Sequence, residues 1–370
     1  MHLYHTAKIL ALALIPLGLV SCKSSSGTIG SHADQSKATT SPAPLIYRVA
    51  FGSCGAQGHP LPIFHEVIRH QPDIFVFLGD NVYGDTNDMS VLQQKYQQLG
   101  NKSSYKALKE NVEILATWDD HDYGQNDAGK NYRHKEASKK IFLEFFEEPK
   151  TSDRYQHEGI YTSEIRQVGD KTIQFLLLDG RTFRDDLNRA NSDPAKKRKS
   201  FYRWRYEPHT DTSPTLLGEA QWQWLEGELL KPADFRILAT GIQLGIEPNG
   251  YEAWANFPHE HDRLVQLVKT TKANHLVAIS GDVHYAEISK FINPHSYPIY
   301  DITASGLSQK WHFATPNKNR IEGPIMDNHF GLLTIDFSAD QPNVQAEIWD
   351  ETGNQRIEYT IPFETIRFPE

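Results

Sequence analysis

One pattern constrains this chain more than any other: a short apolar run that breaks off into a turn of Gly, Asp or His. Leu45–Phe51 runs into Gly52-Ser53-Cys54-Gly55, and Ile74–Leu78 into Gly79-Asp80-Asn81-Val82-Tyr83-Gly84-Asp85. Val112–Thr117 leads to Trp118-Asp119-Asp120-His121-Asp122, and Ile173–Leu178 to Asp179-Gly180-Arg181. Phe235–Thr240 leads to Gly241-Ile242-Gln243, and His275–Ser280 to Gly281-Asp282-Val283-His284. Nearly continuous apolar runs predict strands buried on both faces. Helical periodicity lies between them at Leu61–Arg69, Ser104–Lys109, His134–Glu148 (stopped by Pro149), Leu217–Leu230 and Arg263–Thr270. Further strands are predicted at Leu332–Phe337, Val344–Trp349 and Ile357–Ile361. The expected fold is an α/β sandwich, two packed sheets with helices outside. In sheets of this kind functional groups collect at the carboxyl ends of strands, which is where the polar clusters fall.

Composition narrows the function. Thirty-eight Lys and Arg against 47 Asp and Glu give a formal charge of −9. That balance excludes a dedicated nucleic-acid binder, which carries a basic excess. It suits a protein that holds cations in carboxylate sites. Two cysteines are too few for a disulfide scaffold.

The first 43 residues read as an address and a tether. Residues 1–21 have a weakly basic start and an apolar run from Ile9 to Val20, the layout of a secretory signal. Leu19-Val20-Ser21-Cys22 resembles the lipobox of bacterial lipoproteins, in which the Cys is acylated. An ordinary signal cleaved elsewhere, or a Cys22–Cys54 disulfide, are the alternatives. Residues 22–43 are rich in Ser, Thr, Gly and Ala, too polar to offset the entropy of ordering, and predict a flexible tether. The expected organisation is therefore 1–21 signal, 22–43 tether and 44–370 folded domain, anchored outside the cytoplasm to a lipid bilayer through acylated Cys22.

Five of the six strand ends bring Cys54, Asp80, Tyr83, Asp119, Asp120, His121, Asp122, Arg181, Asp282 and His284 into play. Ionisable groups at buried strand ends are costly unless they are paired or bind metal. Taken singly, Gly79-Asp80-Asn81 is also an Asx turn, and Asp119–Asp122 also the acidic start of a helix. Taken together they point to a mixed centre. Thiolate, phenolate and imidazole suit a transition ion, whereas carboxylates suit Ca²⁺, Mg²⁺ or Mn²⁺. Zinc-finger spacing and HExxH are absent.

Phe51-Gly-Ser-Cys54, the 79–85 run, Trp118-Asp-Asp-His-Asp122, Leu178-Asp-Gly-Arg181 and Ser280-Gly-Asp-Val-His284 resemble alkaline phosphatase D, the PhoD-like branch of the calcineurin-like metallophosphoesterases, over about residues 46–310. The general metallophosphoesterase pattern opens with Asp-x-His, where this chain has a Cys position, and Asp-Gly-Arg stands where the branch often has Asp-Thr-Arg. The resemblance implies a four-layer αββα sandwich. It implies Fe³⁺ held by Cys54, Asp80, Tyr83 and His284, and Ca²⁺ held by Asp80, Asp120 and Asp282. It implies His121 as general acid, Asp122 as its orienting partner and Arg181 as the group that meets the substrate phosphate. The function expected is hydrolysis of small-molecule or polymeric phosphate esters, as a phosphomonoesterase or phosphodiesterase. The rival is a lipid-anchored binding protein that retains the fold without activity. The basic-aromatic stretch 186–216 is expected either to steer anionic substrates or to form a solvated loop. Gln243 follows a strand and is a candidate to approach the site, with no direct role as the alternative.

Overall fold

A computed structural model describes residues 45–190 and 204–369, all within the unit Pro44–Glu370. Among these residues the first sheet contains β1 (Ile46–Gly52), β2 (Ile74–Leu78), β3 (Glu113–Thr117), β11 (His329–Asp336), β12 (Asn343–Asp350) and β13 (Gln355–Pro362), in the order β13-β12-β11-β1-β2-β3. The second contains β4 (Thr162–Val168), β5 (Lys171–Leu177), β6 (Phe235–Thr240), β7 (Leu276–Ser280), β8 (Ala286–Phe291), β9 (Ile299–Ala304) and β10 (Arg320–Ile325), in the order β10-β8-β9-β7-β6-β5-β4.

Strand β2 shows what the apolar runs are for. All five of its residues are buried, and they divide by parity because strand side chains alternate between faces. Ile74, Val76 and Leu78 enter the core shared with Phe175, Leu177, Ile237 and Ile279 of the second sheet. Phe75 and Phe77 enter a separate core with Phe64 of α1 (Ile63–Arg69), Leu92 and Tyr96 of α2 (Met89–Gly100), Tyr105 of α3 (Ser103–Asn111), and Phe142. A short α4 (Asp120–Tyr123) follows β3, and α5 (Lys135–Phe145) carries Phe142. Helices α6 (Gly218–Leu229) and α7 (Pro258–Thr270) supply Trp222, Leu225, Leu264 and Val268 to the core that contains the second sheet. The α/β sandwich expected from the runs is the fold observed.

Three helices differ from expectation in local physics, and strands β4, β8, β9 and β10 were not read from the sequence. The helix predicted to reach Glu148 ends at Phe145, because Glu147 takes φ +55° and the N–H of Glu148 turns back to the carbonyl of Leu143. Helix α7 begins five residues before Arg263, at Pro258, where the missing proline N–H has no intrahelical partner to lose. Helix α2 was not anticipated: its polar Gln-rich face masks Leu92, Tyr96 and Leu99, spaced four and three apart, and Asp88 caps it by accepting the Ser90 N–H at 2.9 Å.

Pairs β1–β2 and β2–β3 run parallel in one sheet, and β5–β6 and β6–β7 in the other. The carboxyl ends of each set therefore lie along one edge. The two edges are tied together: Thr117 Oγ1 donates to the Leu178 carbonyl at 2.7 Å, and the Ser53 N–H to the Ala304 carbonyl at 3.1 Å. Gly281 is required here, since a Cβ would lie 2.5 Å from Ser53 Oγ. No described helix is long and apolar enough to cross a membrane.

Candidate metal centre

The turns after β1, β2 and β7 hold the backbone in a conformation that L residues rarely adopt. Cys54, Asp80, Asp282 and His284 have φ of 61°, 50°, 76° and 57°. Each such residue costs about 1–3 kcal/mol and survives only where its surroundings impose it. Gly79, at φ 100°, allows the β2 turn to lie on the β3 turn, where a Cβ would come within 2.4 Å of Asp119 Cβ. The bends turn the chain sharply at the strand ends, and the side chains converge.

Cys54 Sγ lies 3.4 Å from Asp80 Oδ2 and 3.2 Å from Ser305 Oγ. Tyr83 Oη lies 3.0 Å from His284 Nε2. Ligand atoms of Cys54, Asp80 and His284 sit within 4.8 Å of one another, and so do those of Asp80, Asp120 and His121. Asp80 is common to both groups. Asp282 joins neither, although its carboxyl is within electrostatic reach of Asp119 and Asp120 and its backbone carbonyl meets Cys54 Sγ at 3.6 Å.

The electrostatics of the chain alone are strained. Burial, followed by the charges of Cys54 and Asp120, pushes Asp80 well above the carboxylate range. Burial does the same to Asp282 and to the Tyr83 phenol. It lifts the Cys54 thiol to about 12 against hydrogen bonds from Ser305 and Ser53. Burial also lowers His284 to about 4, which keeps its imidazole neutral and able to ligate. Asp120 goes the other way: Arg181 and His121 more than offset its burial and hold it low.

Several buried oxygens have no hydrogen-bond partner, among them Asp120 Oδ1, Asp119 Oδ2 and Asn81 Oδ1. Orphaned buried acceptors call for an explanation, and a cation supplies one. The donor set fits a metal pair: sulfur, phenol oxygen and imidazole beside Asp80, with carboxylates on Asp80's other side.

Two expected roles are corrected. Asp122 does not orient His121. Its carboxylate accepts the backbone N–H groups of Asp80 and Asn81 at 3.2 Å each and of Asp119 at 2.7 Å, so it clamps two turns together. The partner of His121 is Asp85, with both oxygens 2.8 Å from Nδ1. Arg181 is not an open group: its contacts are with the chain's own acids. It is 0% exposed; its Nε donates to Asp119 Oδ1 at 2.6 Å and its Nη1 to both oxygens of Glu252 at 2.9 Å. Two buried carboxylates claim the guanidinium because either one alone would be an uncompensated charge. Arg184 Nε also pairs with Glu252, at 3.0 Å.

Asp85 and Glu252 are not singled out by the sequence. Asp85 lies inside the 79–85 run, five residues after Asp80, and its positive φ of 45° marks the same turn. Glu252 carries no local signal, because its partner is 71 residues away. Gln243 does not reach the ligand cluster: its amide donates to Glu287 at 2.9 Å and to Thr303 at 3.1 Å. The expectations for Cys22, the first 43 residues and the basic run Lys196–Lys199 with Tyr202 and Arg203 lie outside the described residues.

A family model described as "PhoD-like phosphatase" matches residues 49–319. Alkaline phosphatase D of Bacillus subtilis (strain 168) is 24% identical over 294 residues, which are 67% of this chain and 48% of that protein. The chain thus spans about half the length of this curated relative. A solved structure described as "Structure of PhoD" superposes with a TM-score of 0.62 at 17% identity, covering 87% of this chain and 73% of the other. One described as "GAP50 the anchor in the inner membrane complex of Plasmodium" gives 0.51 at 13% identity, covering 88% and 90%. At these identities the two solved structures speak for the fold alone. The family match spans all the strand-end turns described above, from Cys54 to His284, and on that extent the chain belongs to the PhoD-like phosphatase family.

Proposed function

We propose that this chain is a metal-dependent phosphoester hydrolase with a mixed iron–calcium centre. The observation that carries the reading is the convergence of Cys54, Asp80, Tyr83 and His284 from three separate strand ends. Iron would be held by those four, and calcium by Asp80, Asp120 and Asp282. Bound there, the cations neutralise charge on a phosphoryl group and acidify water. The inactive alternative is disfavoured because Cys54, Asp80, Tyr83 and His284 are all brought together.

The chain's own part is proton delivery. His121 follows Asp120 directly and stacks beside Tyr83, with ring centroids 4.4 Å apart. Asp85 holds Nδ1, which leaves Nε2 to protonate the departing alkoxide. Burial works against protonation of His121, but Asp85 and Asp120 outweigh it and raise the group to about 9. In the metal-free chain the ring is therefore held in its charged form, the form a general acid needs.

Metal analysis of the purified chain tests the assignment. It is expected to show iron and calcium, a visible phenolate-to-iron band that disappears in Tyr83→Phe, and turnover of an aryl phosphate or a bis-aryl phosphate that depends on Ca²⁺. An iron-free, colourless and fully active protein would overturn it. The lipobox-like Leu19–Cys22 supports an extracytoplasmic lipoprotein anchored through Cys22. Cys22→Ala is then expected to move the protein from the membrane to the soluble fraction.

A further inference from the structure

The mouth of the centre has two unlike rims. Beside Asp127 lies a polar cavity of about 320 Å³, lined by Asn87, Gln125, Asn131 and Arg133. Beside His284 the rim is aromatic. The Trp311 ring stands edge-on to the His284 imidazole, centroids 5.6 Å apart and planes at 76°. Its backbone N–H donates to the His284 carbonyl at 3.4 Å, so this loop is anchored on the ligand turn itself. Tyr251 packs on Trp311 at 5.1 Å, and Phe313 stacks on it at 5.4 Å and 28°. The loops are braced by Asn249, whose amide donates to Thr315 Oγ1 at 2.8 Å and whose carbonyl oxygen accepts the Tyr251 N–H at 2.9 Å. All three rings are only partly buried.

We propose that Trp311, backed by Tyr251 and Phe313, is a specificity subsite for a flat unsaturated ring in the organic group of the ester. The preferred substrates are then aryl or nucleoside phosphates rather than sugar or polyol phosphates. The inference rests on the phosphoester reading for where the phosphoryl group sits. A phosphoryl group held by cations at the centre would have the indole within one ring's reach through His284. An aromatic face holds any planar π-system by stacking, while a saturated polyol offers it neither a flat face nor enough apolar area.

The test is equilibrium binding of phosphonates, whose P–C bond is not hydrolysed, to the metal-loaded full chain by calorimetry. Phenylphosphonate is expected to bind at least about tenfold tighter than methylphosphonate. That ratio is expected to fall to about one in Trp311→Ala and Trp311→Leu, and to persist in Trp311→Phe. A nucleoside 5′-phosphonate in the same series tells which ring is favoured: tighter than phenylphosphonate means a nucleobase, equal means a simple aryl group. Equal binding of phenyl- and methylphosphonate by the native chain would overturn the subsite, as would a ratio that survives Trp311→Leu. Because nothing turns over, these outcomes are independent of activity. Ring-selective binding with no ester hydrolysis would sink the hydrolase and leave the subsite standing.

Discussion

The strand-end floor holds two groups of equally buried acids with different fates. Asp119 and Glu252 are neutralised by Arg181 and Arg184, charge for charge, within the chain. Asp80, Asp120 and Asp282 have no Lys or Arg in ion-pairing contact among the described residues, and Asp120 leaves a buried oxygen without a partner. The difference separates structure from function. In the first group each acid touches an arginine of the chain. In the second no Lys or Arg makes an ion pair, a bound cation is the fitting counter-charge, and Asp80 and Asp282 sit in turns of strained backbone.

The sharpest way to break the contrast is Asp80→Asn. If the unpaired group exists for cations, turnover falls at least about a thousandfold, roughly 4 kcal/mol of transition-state stabilisation. The metal-free variant should at the same time be more stable than the metal-free native chain, by about 1–2 kcal/mol in a denaturant titration. A variant that loses activity and stability together would place Asp80 in the structural group instead.

The reverse substitution probes the paired group. Arg181→Met strands Asp119, leaves Glu252 with Arg184 alone, and is expected to cost about 3–5 kcal/mol of unfolding free energy. A thermal midpoint close to native would show that Arg181 is not structural and would return it to the phosphate.

Buried acids around both groups should also make the metal-free chain sensitive to pH. The folded, metal-free chain holds Asp127 at about 6 and Asp122 at about 7, both raised chiefly by burial. A raised folded pKa gives stability that is fully present below the unfolded value near 3.8 and lost as pH climbs through the folded one. Unfolding titrations of the metal-free chain should therefore show stability declining from about pH 4 to 7. Saturating cations should flatten the decline, because they bind the folded chain alone. An equal slope with and without metal would contradict this.

The smallest effect belongs to a positioning residue. Asp85→Asn keeps the shape beside His121 Nδ1 but removes the charge. It is expected to lower turnover about tenfold. The loss should be confined to esters with poor leaving groups and nearly absent for p-nitrophenyl esters, which depart without a proton. A loss equal for both classes would make Asp85 merely structural.

Much of this could be read without coordinates. The runs ending at Leu78 and Ser280 were legible as buried strands because two-sided burial demands uninterrupted apolar residues, and the ligand turns were legible because Gly, Asp and His crowd at those ends. Helix α2 was hidden, since exposed glutamines interrupt its apolar residues and only the shape of the adjoining core tells which face is buried. Asp122 and Arg181 were placed in the right region with the wrong tasks. A carboxylate's task depends on which N–H groups reach it first, and a guanidinium's on which acids lie within about 3 Å.

The amino-acid order alone determined which residue types arrive at the strand ends, because alternation and burial act along a single segment. Only the tertiary structure decided how those residues divide. Whether an acid meets an arginine, a histidine or nothing depends on segments up to 71 positions away that share no local pattern, such as Glu252 and Arg181. Pairing energies reach across a few ångströms of space and take no account of distance along the chain.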